Sequence, residues 1–492
     1  MFDARSLVCC AGLLALAAPS AAADAKPPNV VVIVADDMGY ADAGCYGATD
    51  VRTPHLDSLA RDGTRFTGFC VAQAVCTASR AALLSGCYPN RLGMAGALNH
   101  TSTTGIHPDE ELLPELLKAK GYATACFGKW HLGTRPKFFP TRNGFDEWAG
   151  LPYSNDNGPL HPTVRGIPAL PFYENDTLAE TDPDQSAFTK RFTEKATAFI
   201  RSNKAKPFFL YLPHVMPHVP IYASKEFQGK SKRGRYGDVV EELDWSVGEV
   251  LAELKACGLE ENTLVLFLSD NGPFLSYGTH AGSAVPFREG KLTAFEGGVR
   301  VPFLARWPGK VPAGRVCDDL FTGLDVLPTV AKLTGAALPR ANIDGVDRSP
   351  LVLGEKGAKG RESFAYFSGN DLNAVRAGKW KLHVPHEYLT VNGPPGKDGK
   401  PANHGNMKPD AIEESGIRGI ASRHGYKVES IGLSLFDLTA DPGETADLAA
   451  KHPDVVKQLS ALADAVRKEL GDPLTKTPAT GTRPVGRDAS PK

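Results

Sequence analysis

The sequence has almost no net charge, no internal repeat and, past its N-terminus, no closely spaced cysteine pair and no long apolar run. Each absence removes a class of function. Lys and Arg total 55 against 56 Asp and Glu in 492 residues, a formal net charge of −1. The basic footprint of a nucleic-acid binder is therefore missing, although a balanced total still permits a local basic pocket for an anionic substrate. Without paired cysteines the usual ligand spacing of a zinc site is absent. Without a later stretch of the roughly 20 apolar residues that a bilayer demands, no integral membrane segment is expected in the mature chain. A hydrophobic fraction of 42% and a charged fraction of 23% describe an ordinary globular protein with length for a large core.

The N-terminus is more specific. Arg5 precedes the apolar run Leu7 to Ala18, which Pro19 and the small residues Ala21-Ala22-Ala23 follow. This is the pattern of a secretory signal peptide over residues 1–23, cleaved near Ala23. The run is short for a membrane anchor, so a secreted or periplasmic location is expected. Of nine cysteines, Cys9 and Cys10 fall within that segment, leaving Cys45, Cys70, Cys76, Cys87, Cys126, Cys257 and Cys317. An odd number in an exported chain leaves at least one thiol unpaired, and the pairing is not readable.

Asn29 to Ala35, Phe208 to Leu212 and Thr263 to Ser269 are continuous β-branched or aromatic runs, the pattern of buried parallel strands. Thr53 to Asp62, Asp109 to Lys120 and Val239 to Cys257 read as helices, the last stopped by Gly258. Strands alternating with helices predict an α/β domain over residues 24–360. Beyond it the pattern shortens. Ser363 to Phe367, Asn373 to Val384 and Ser434 to Asp437 read as strands, Asn392 to Lys408 as a Pro/Gly/Lys-rich insert, and Pro453 to Leu470 as a helix. This predicts a smaller α+β domain over 361–471, followed by a disordered tail, 472–492, rich in Pro, Thr and Gly.

Two strands end in acidic pairs, Asp36-Asp37 and Asp270-Asn271. Ligands bind beyond the carboxyl ends of such strands. If the two strands are neighbours, three carboxylates and an amide oxygen converge, and their repulsion calls for a hard cation bound through oxygen. The bland alternative is that each pair caps the next helix. Cys76 stands one helical turn before Arg80, at the start of an apolar helical stretch, where negative charge is stabilised. In isolation that pattern equally describes a buried structural cysteine beside a surface arginine.

Taken together the motifs carry further. Cys76-Thr77-Ala78-Ser79-Arg80-Ala81-Ala82-Leu83-Leu84-Ser85-Gly86 resembles the maturation signature of the type I, formylglycine-dependent sulfatases, nearest the arylsulfatase A and N-acetylgalactosamine-6-sulfatase branch. NVVVIVADDMG (29–39), GKWHLG (128–133), GLPYSNDNGP (150–159), SDNG (269–272), GKLTAFEGGVR (290–300) and LFDLTADPGE (435–444) resemble further family blocks, in the family's order. The resemblance implies an alkaline-phosphatase-like α/β fold, a large mixed sheet flanked by helices, with a C-terminal antiparallel sheet and helix. It implies oxidation of Cys76 to formylglycine by a maturase, and calcium rather than magnesium held by Asp36, Asp37, Asp270, Asn271 and the modified residue 76. It implies that Arg80 steadies the formylglycine hydrate, that Lys129 and Ser154 bind sulfate, that His131 is the base releasing the covalent sulfo-enzyme, and that His218 and Lys291 contact the leaving-group oxygen. Lys129 and His131, two apart, are expected on one face of an extended segment. The implied reaction is hydrolysis of a sulfate ester, an aryl sulfate or a sulfated carbohydrate, through the formylglycine-hydrate nucleophile. The alternatives are a phosphonate monoester hydrolase or phosphodiesterase of the same fold, and a non-catalytic binder of sulfated glycans.

Two positions depart from the family pattern. Ala78 replaces the proline of Cys-x-Pro-x-Arg, which leaves open which maturase acts. His214 lies four residues before His218, with a structural role and a substrate contact both open. Substrate selectivity is expected in Leu160 to Glu180 and in the 392–408 insert.

Overall fold

A computed structural model describes residues 26–414 and 416–489; the signal segment with Cys9 and Cys10 lies outside them. Among the described residues no helix is long and apolar enough to cross a membrane, and all seven cysteines are free thiols.

The strand Asn29–Ala35 has no exposed residue. Its side chains alternate, Val30, Val32 and Val34 entering one core and Val31, Ile33 and Ala35 the other. That two-sided burial is what a continuous apolar strand requires. It sits in a ten-stranded mixed sheet ordered Arg315–Cys317, Thr64–Phe66, Phe303–Arg306, Thr263–Ser269, Asn29–Ala35, Phe208–Pro213, Ala123–Lys129, Glu147–Leu151, Pro171–Glu174, Thr177–Thr181. The five strands from Thr263–Ser269 to Glu147–Leu151 run parallel. Asn29–Ala35 and Thr263–Ser269 are direct neighbours, with Ala35 beside Ser269, so the two acidic pairs emerge side by side. Helices Pro54–Arg61, Phe188–Ser202 and Gly234–Ala256 flank one face, and Cys76–Ser85, Leu113–Ala119 and Gly323–Thr334 the other.

Helix bounds differ from expectation for physical reasons. The helix expected from Asp109 starts at Leu113, with Pro114 in its first turn and Glu115 accepting the Leu112 N–H at 2.8 Å. The helix expected from Val239 starts at Gly234. Asn373 to Val384 is two strands, Asp371–Ala377 and Trp380–His383, broken at Gly378.

The C-terminal region forms an antiparallel sheet ordered Ser363–Ser368, Asp371–Ala377, Trp380–His383, Ser434–Asp437, with helix Pro453–Leu470 against it. Phe364, Tyr366, Leu382, Leu435 and Leu459 belong to the same apolar cluster as Val30, Phe66 and Phe303. The chain thus changes sheet near residue 360 without beginning a separate core. A hairpin, His386–Val391 with Tyr426–Ile431, and a helix, Ile417–His424, were not anticipated. Beneath this region lies a fully buried ionic knot. Lys381 Nζ meets Glu296 at 3.0 Å and Glu444 at 2.9 Å, and donates to the Ala294 carbonyl at 2.7 Å. It anchors the loop that carries Lys291.

The described part of the tail, 472–489, makes specific contacts with the body of the protein. Gly486–Arg487 pairs with Thr104–Gly105, and Arg483 reaches both carboxylate oxygens of Glu110 at 2.7 Å. Composition signalled local disorder, but the segment's stabilising partners are distant in sequence. Truncation after Gly471 is expected to lower the melting temperature by about 3–6 °C; an unchanged melting curve would show the packing to be idle.

Candidate active site

Four chain segments deliver side chains to the carboxyl end of the parallel strands. Asp36 and Asp37 follow one strand, Asp270 and Asn271 its neighbour, and Lys129 ends the strand Ala123–Lys129. Cys76 and Arg80 come from the first turns of helix Cys76–Ser85. Gly128 makes this possible: its φ is +134°, and a Cβ there would stand 1.9 Å from the Pro213 carbonyl oxygen. Asp37, His131 and Leu292 hold left-handed backbone, φ 68°, 63° and 72°. Such strain in residues with side chains gathers at functional sites.

The three carboxylates do not face one another uncompensated. Arg80 grips Asp270 Oδ2 through Nε at 2.9 Å and Nη2 at 2.8 Å, and stands 3.4 Å from Asp36. Lys129 Nζ lies 2.6 Å from Asp36 Oδ2, and Lys291 Nζ lies 2.6 and 2.8 Å from the two oxygens of Asp37. Burial opposes the charge on all three cations, yet the neighbouring carboxylates outweigh it and hold their pKa values above the ordinary range. The repulsion argument for a metal is therefore incomplete, since the chain neutralises its own acids. The better argument lies in the oxygens left over. Asp36 Oδ1 and Asn271 Oδ1 are buried without a hydrogen-bond partner, a costly condition. Asn271 is oriented by its amide nitrogen, which donates to Asp37 Oδ1 at 2.7 Å and to the Gly272 carbonyl at 2.9 Å. Asp36, Asp37 and His218 also bring ligand atoms within 4.8 Å of one another. This all-oxygen set with one nearby imidazole fits a hard divalent cation.

Cys76 is 3% exposed and lines a cavity of about 480 Å³. Burial raises its thiol pKa, although Lys129 and Lys291 pull it down, so the unmodified side chain is held as a neutral thiol. His131 also faces the cavity. Lys129 does not share its face, because the backbone turns left-handed at His131 and sends Lys129 to Asp36. His131 Nε2 lies 2.7 Å from the Leu98 carbonyl; a carbonyl only accepts, so Nε2 carries the proton. Nδ1 is left buried and unpartnered. Burial, then Lys129, depresses the His131 pKa well below the ordinary value, which leaves a neutral imidazole with a free lone pair. By the same reasoning His218 Nδ1, 2.5 Å from the Val219 carbonyl, is protonated, and Nε2 faces Asp37 Oδ2 at 3.6 Å and Ser154 Oγ at 3.4 Å.

His214 is not part of the cavity lining. Its Nε2 meets Ser246 Oγ at 3.1 Å inside the fold, and burial pushes its pKa down to about 3. Its role is structural. Ala78 is buried, and its N–H donates to the Gly96 carbonyl at 3.2 Å. Proline, without that hydrogen, would forfeit the bond.

Several cavity residues escaped the sequence reading: Asp156, His161, Phe274, Arg423 and His424. Asp156 sat inside a block already noted, two residues past Ser154. Arg423 and His424 belong to the unanticipated helix and left no legible signal.

Comparison with known proteins agrees with this geometry. The Sulfatase family model matches residues 28–336, and the model of the C-terminal region of aryl-sulfatase matches 359–487. Arylsulfatase A of Homo sapiens is 37% identical over 502 residues, covering 96% of this chain and 93% of that protein. N-acetylgalactosamine-6-sulfatase of Homo sapiens is 40% identical over 375 residues, covering 73% and 72%. The crystal structure of PsFucS1 sulfatase from Pseudoalteromonas sp. superposes with a TM-score of 0.76 at 26% identity, covering 92% of each chain. The mixed sheet is thus the alkaline-phosphatase-like fold expected. Since the matched region 28–336 contains the strand-end acids, their three cations and Cys76, the chain belongs to the sulfatase family of sulfuric ester hydrolases.

Proposed function

We propose that the chain hydrolyses a sulfate ester by way of a formylglycine formed from Cys76, with a divalent cation, calcium by its oxygen donors, held by Asp36, Asp37, Asp270 and Asn271. The observation that carries this reading is the placement of Cys76 in one cavity wall beside an internally neutralised set of three carboxylates and three cations with two oxygens to spare. The cation, when bound, would add positive charge for the sulfuryl oxygens and ease ionisation of a hydroxyl at residue 76. The chemistry that the oxidised residue would supply is a pair of hydroxyls on one carbon, one to bond sulfur and one to expel it.

The chain's own groups have distinct tasks. Lys291, which lines the cavity, would keep charge against the bound sulfate, and Lys129 and Arg80 would fix the carboxylates behind it. His218, only as the imidazolium with Nδ1–H kept on the Val219 carbonyl, would deliver a proton from Nε2 to the leaving oxygen, with Ser154 and Lys291 Nζ–H positioning that half of the ester. His131, neutral and with Nδ1 free, would take the proton that lets sulfate depart. The signal-like N-terminus supports action outside the cytoplasm after maturation.

The discriminating experiment compares matured enzyme on 4-nitrocatechol sulfate and 4-nitrophenyl phosphate. A higher kcat/KM on the sulfate is expected. Preference for the phosphate, or for a phosphonate ester, would replace this reading with the phosphonate hydrolase alternative. An unmodified Cys76 with tight glycan binding and no turnover would replace it with the non-catalytic binder.

A further inference from the structure

The cavity is larger than a sulfate group needs, and the wall beside His218 carries polar groups that the reaction does not use. Asp156 is 8% exposed and His161 2%. Asn157 donates to Asp156 Oδ1 at 2.9 Å. Oδ2 stands 3.9 Å from His161 Nε2, too far for a hydrogen bond. The tautomer of His161 follows from geometry. Its Nδ1 accepts the backbone N–H of Thr163 at 3.1 Å and of Val164 at 2.9 Å, so the ring proton sits on Nε2. A carboxylate acceptor and an imidazole donor therefore line the cavity 3.9 Å apart, a spacing that one oxygen seated on the cavity side can bridge with a hydrogen bond to each.

The charge balance narrows what that oxygen is. Burial opposes ionisation of Asp156, but the neighbouring histidine side chains, His218 foremost, and the N–H donated by Asn157 hold the carboxyl below its ordinary range. Burial lowers the His161 pKa, keeping that ring neutral. The nearby cation Arg423 spends its Nη1 on the carbonyls of Ala411 at 2.8 Å and Glu414 at 2.6 Å. An ionised carboxylate beside a neutral imidazole repels a second sulfate or a uronate and accepts from a hydroxyl.

We propose that Asp156 and His161 form a hydroxyl clamp, in which a free hydroxyl on the alcohol half of the ester donates to Asp156 Oδ2 and accepts from His161 Nε2–H. The inference rests on the sulfatase reading and makes it specific. The natural substrate carries an unsulfated hydroxyl near the scissile oxygen, as a neutral sugar ring does and a bare aryl or steroid ring does not. His424, whose Nδ1 lies 2.9 Å from the Tyr277 hydroxyl, closes the wall behind it.

The test uses full-length enzyme with oxidation at residue 76 verified by mass spectrometry. The probes are methyl hexopyranosides sulfated once, at O3, O4 or O6, each paired with analogues deoxygenated at a neighbouring carbon. For the isomer turned over best, loss of the critical hydroxyl is expected to cost wild-type enzyme about 100-fold in kcat/KM, as an unpaired buried acceptor demands. In Asp156→Asn the same deoxygenation should cost less than about threefold, because the partner is already gone. His161→Gln, measured the same way, serves where Asp156→Asn fails to fold. The parent-to-deoxy ratio is internal to each variant, so a general loss of activity does not mimic the effect. Wild-type indifference to every deoxygenation, or full discrimination retained in both variants, would overturn the clamp. Absence of turnover on every sulfate ester, aryl sulfate included, would overturn the sulfatase reading and the clamp with it.

Discussion

Cys76→Ala is expected to abolish turnover, a loss on the order of 10⁶-fold, the scale of deleting a nucleophile that acts as a unit with its neighbours. The fold should survive, since Cys76 is a small side chain at a helix start and its truncation leaves Arg80 bound to Asp270. Cys76→Ser separates mechanisms. Serine has one hydroxyl, so it can at best accept the sulfuryl group and hold it, and a stable sulfated enzyme is expected unless a maturase accepts serine. In preparations of wild-type protein, activity should rise in proportion to the oxidised fraction at residue 76. Ala78 makes that fraction informative, because a host whose maturase prefers proline would yield partial conversion. Full activity in protein whose Cys76 is entirely thiol would falsify the mechanism.

The second large effect is expected from the metal ligands. Asp270→Ala should reduce bound calcium from about one ion per chain to near none, with turnover lost in parallel. It also strands Arg80, whose remaining carboxylate is Asp36 at 3.4 Å; breaking a buried pair costs about 3–5 kcal/mol. Asn271→Ala is the gentler probe. Its Oδ1 has no protein partner, so deletion should weaken metal retention, and the loss of its two amide donations, to Asp37 and Gly272, should cost the fold less than the stranded Arg80 does. Chelation of wild-type protein should lower the melting temperature, and restoring calcium at about 100 times its Kd should return about 2.7 kcal/mol. Metal content by mass spectrometry reads both experiments. Unchanged calcium in Asp270→Ala would remove these residues from the site.

The acids were legible because continuous apolar strands announce their own ends: Asn29–Ala35 and Thr263–Ser269 stop where Asp36 and Asp270 begin. Their adjacency was conditional in the sequence and is explicit in the register. What balances them was not legible. Lys129 was read as a sulfate-binding group and Lys291 as a leaving-group contact; their pairing with Asp36 and Asp37 joins segments 93 and 254 residues apart. The distal cavity wall was hidden for a related reason. Helix Ile417–His424 is short and follows a loop-like insert, and the hairpin beneath it has half-buried strands without a clean alternation. His214, whose structural role and substrate contact were both open in the sequence, bonds Ser246 inside the fold.

The return of residues 483–487 to the strand at 104–105 and to Glu110 has a consequence in time. Arg483 and Glu110 are 373 positions apart, and contacts of such separation form late, because the intervening chain must first be made and ordered. Until translation passes residue 487, the segment after Gly93 and the strand at 104–105 lack their lid. An oxidising enzyme cannot reach a cysteine that is 3% exposed in the finished fold. Oxidation of Cys76 is therefore expected before the fold is complete, and the stitch of the tail to 104–105 and Glu110 is among the last contacts to close.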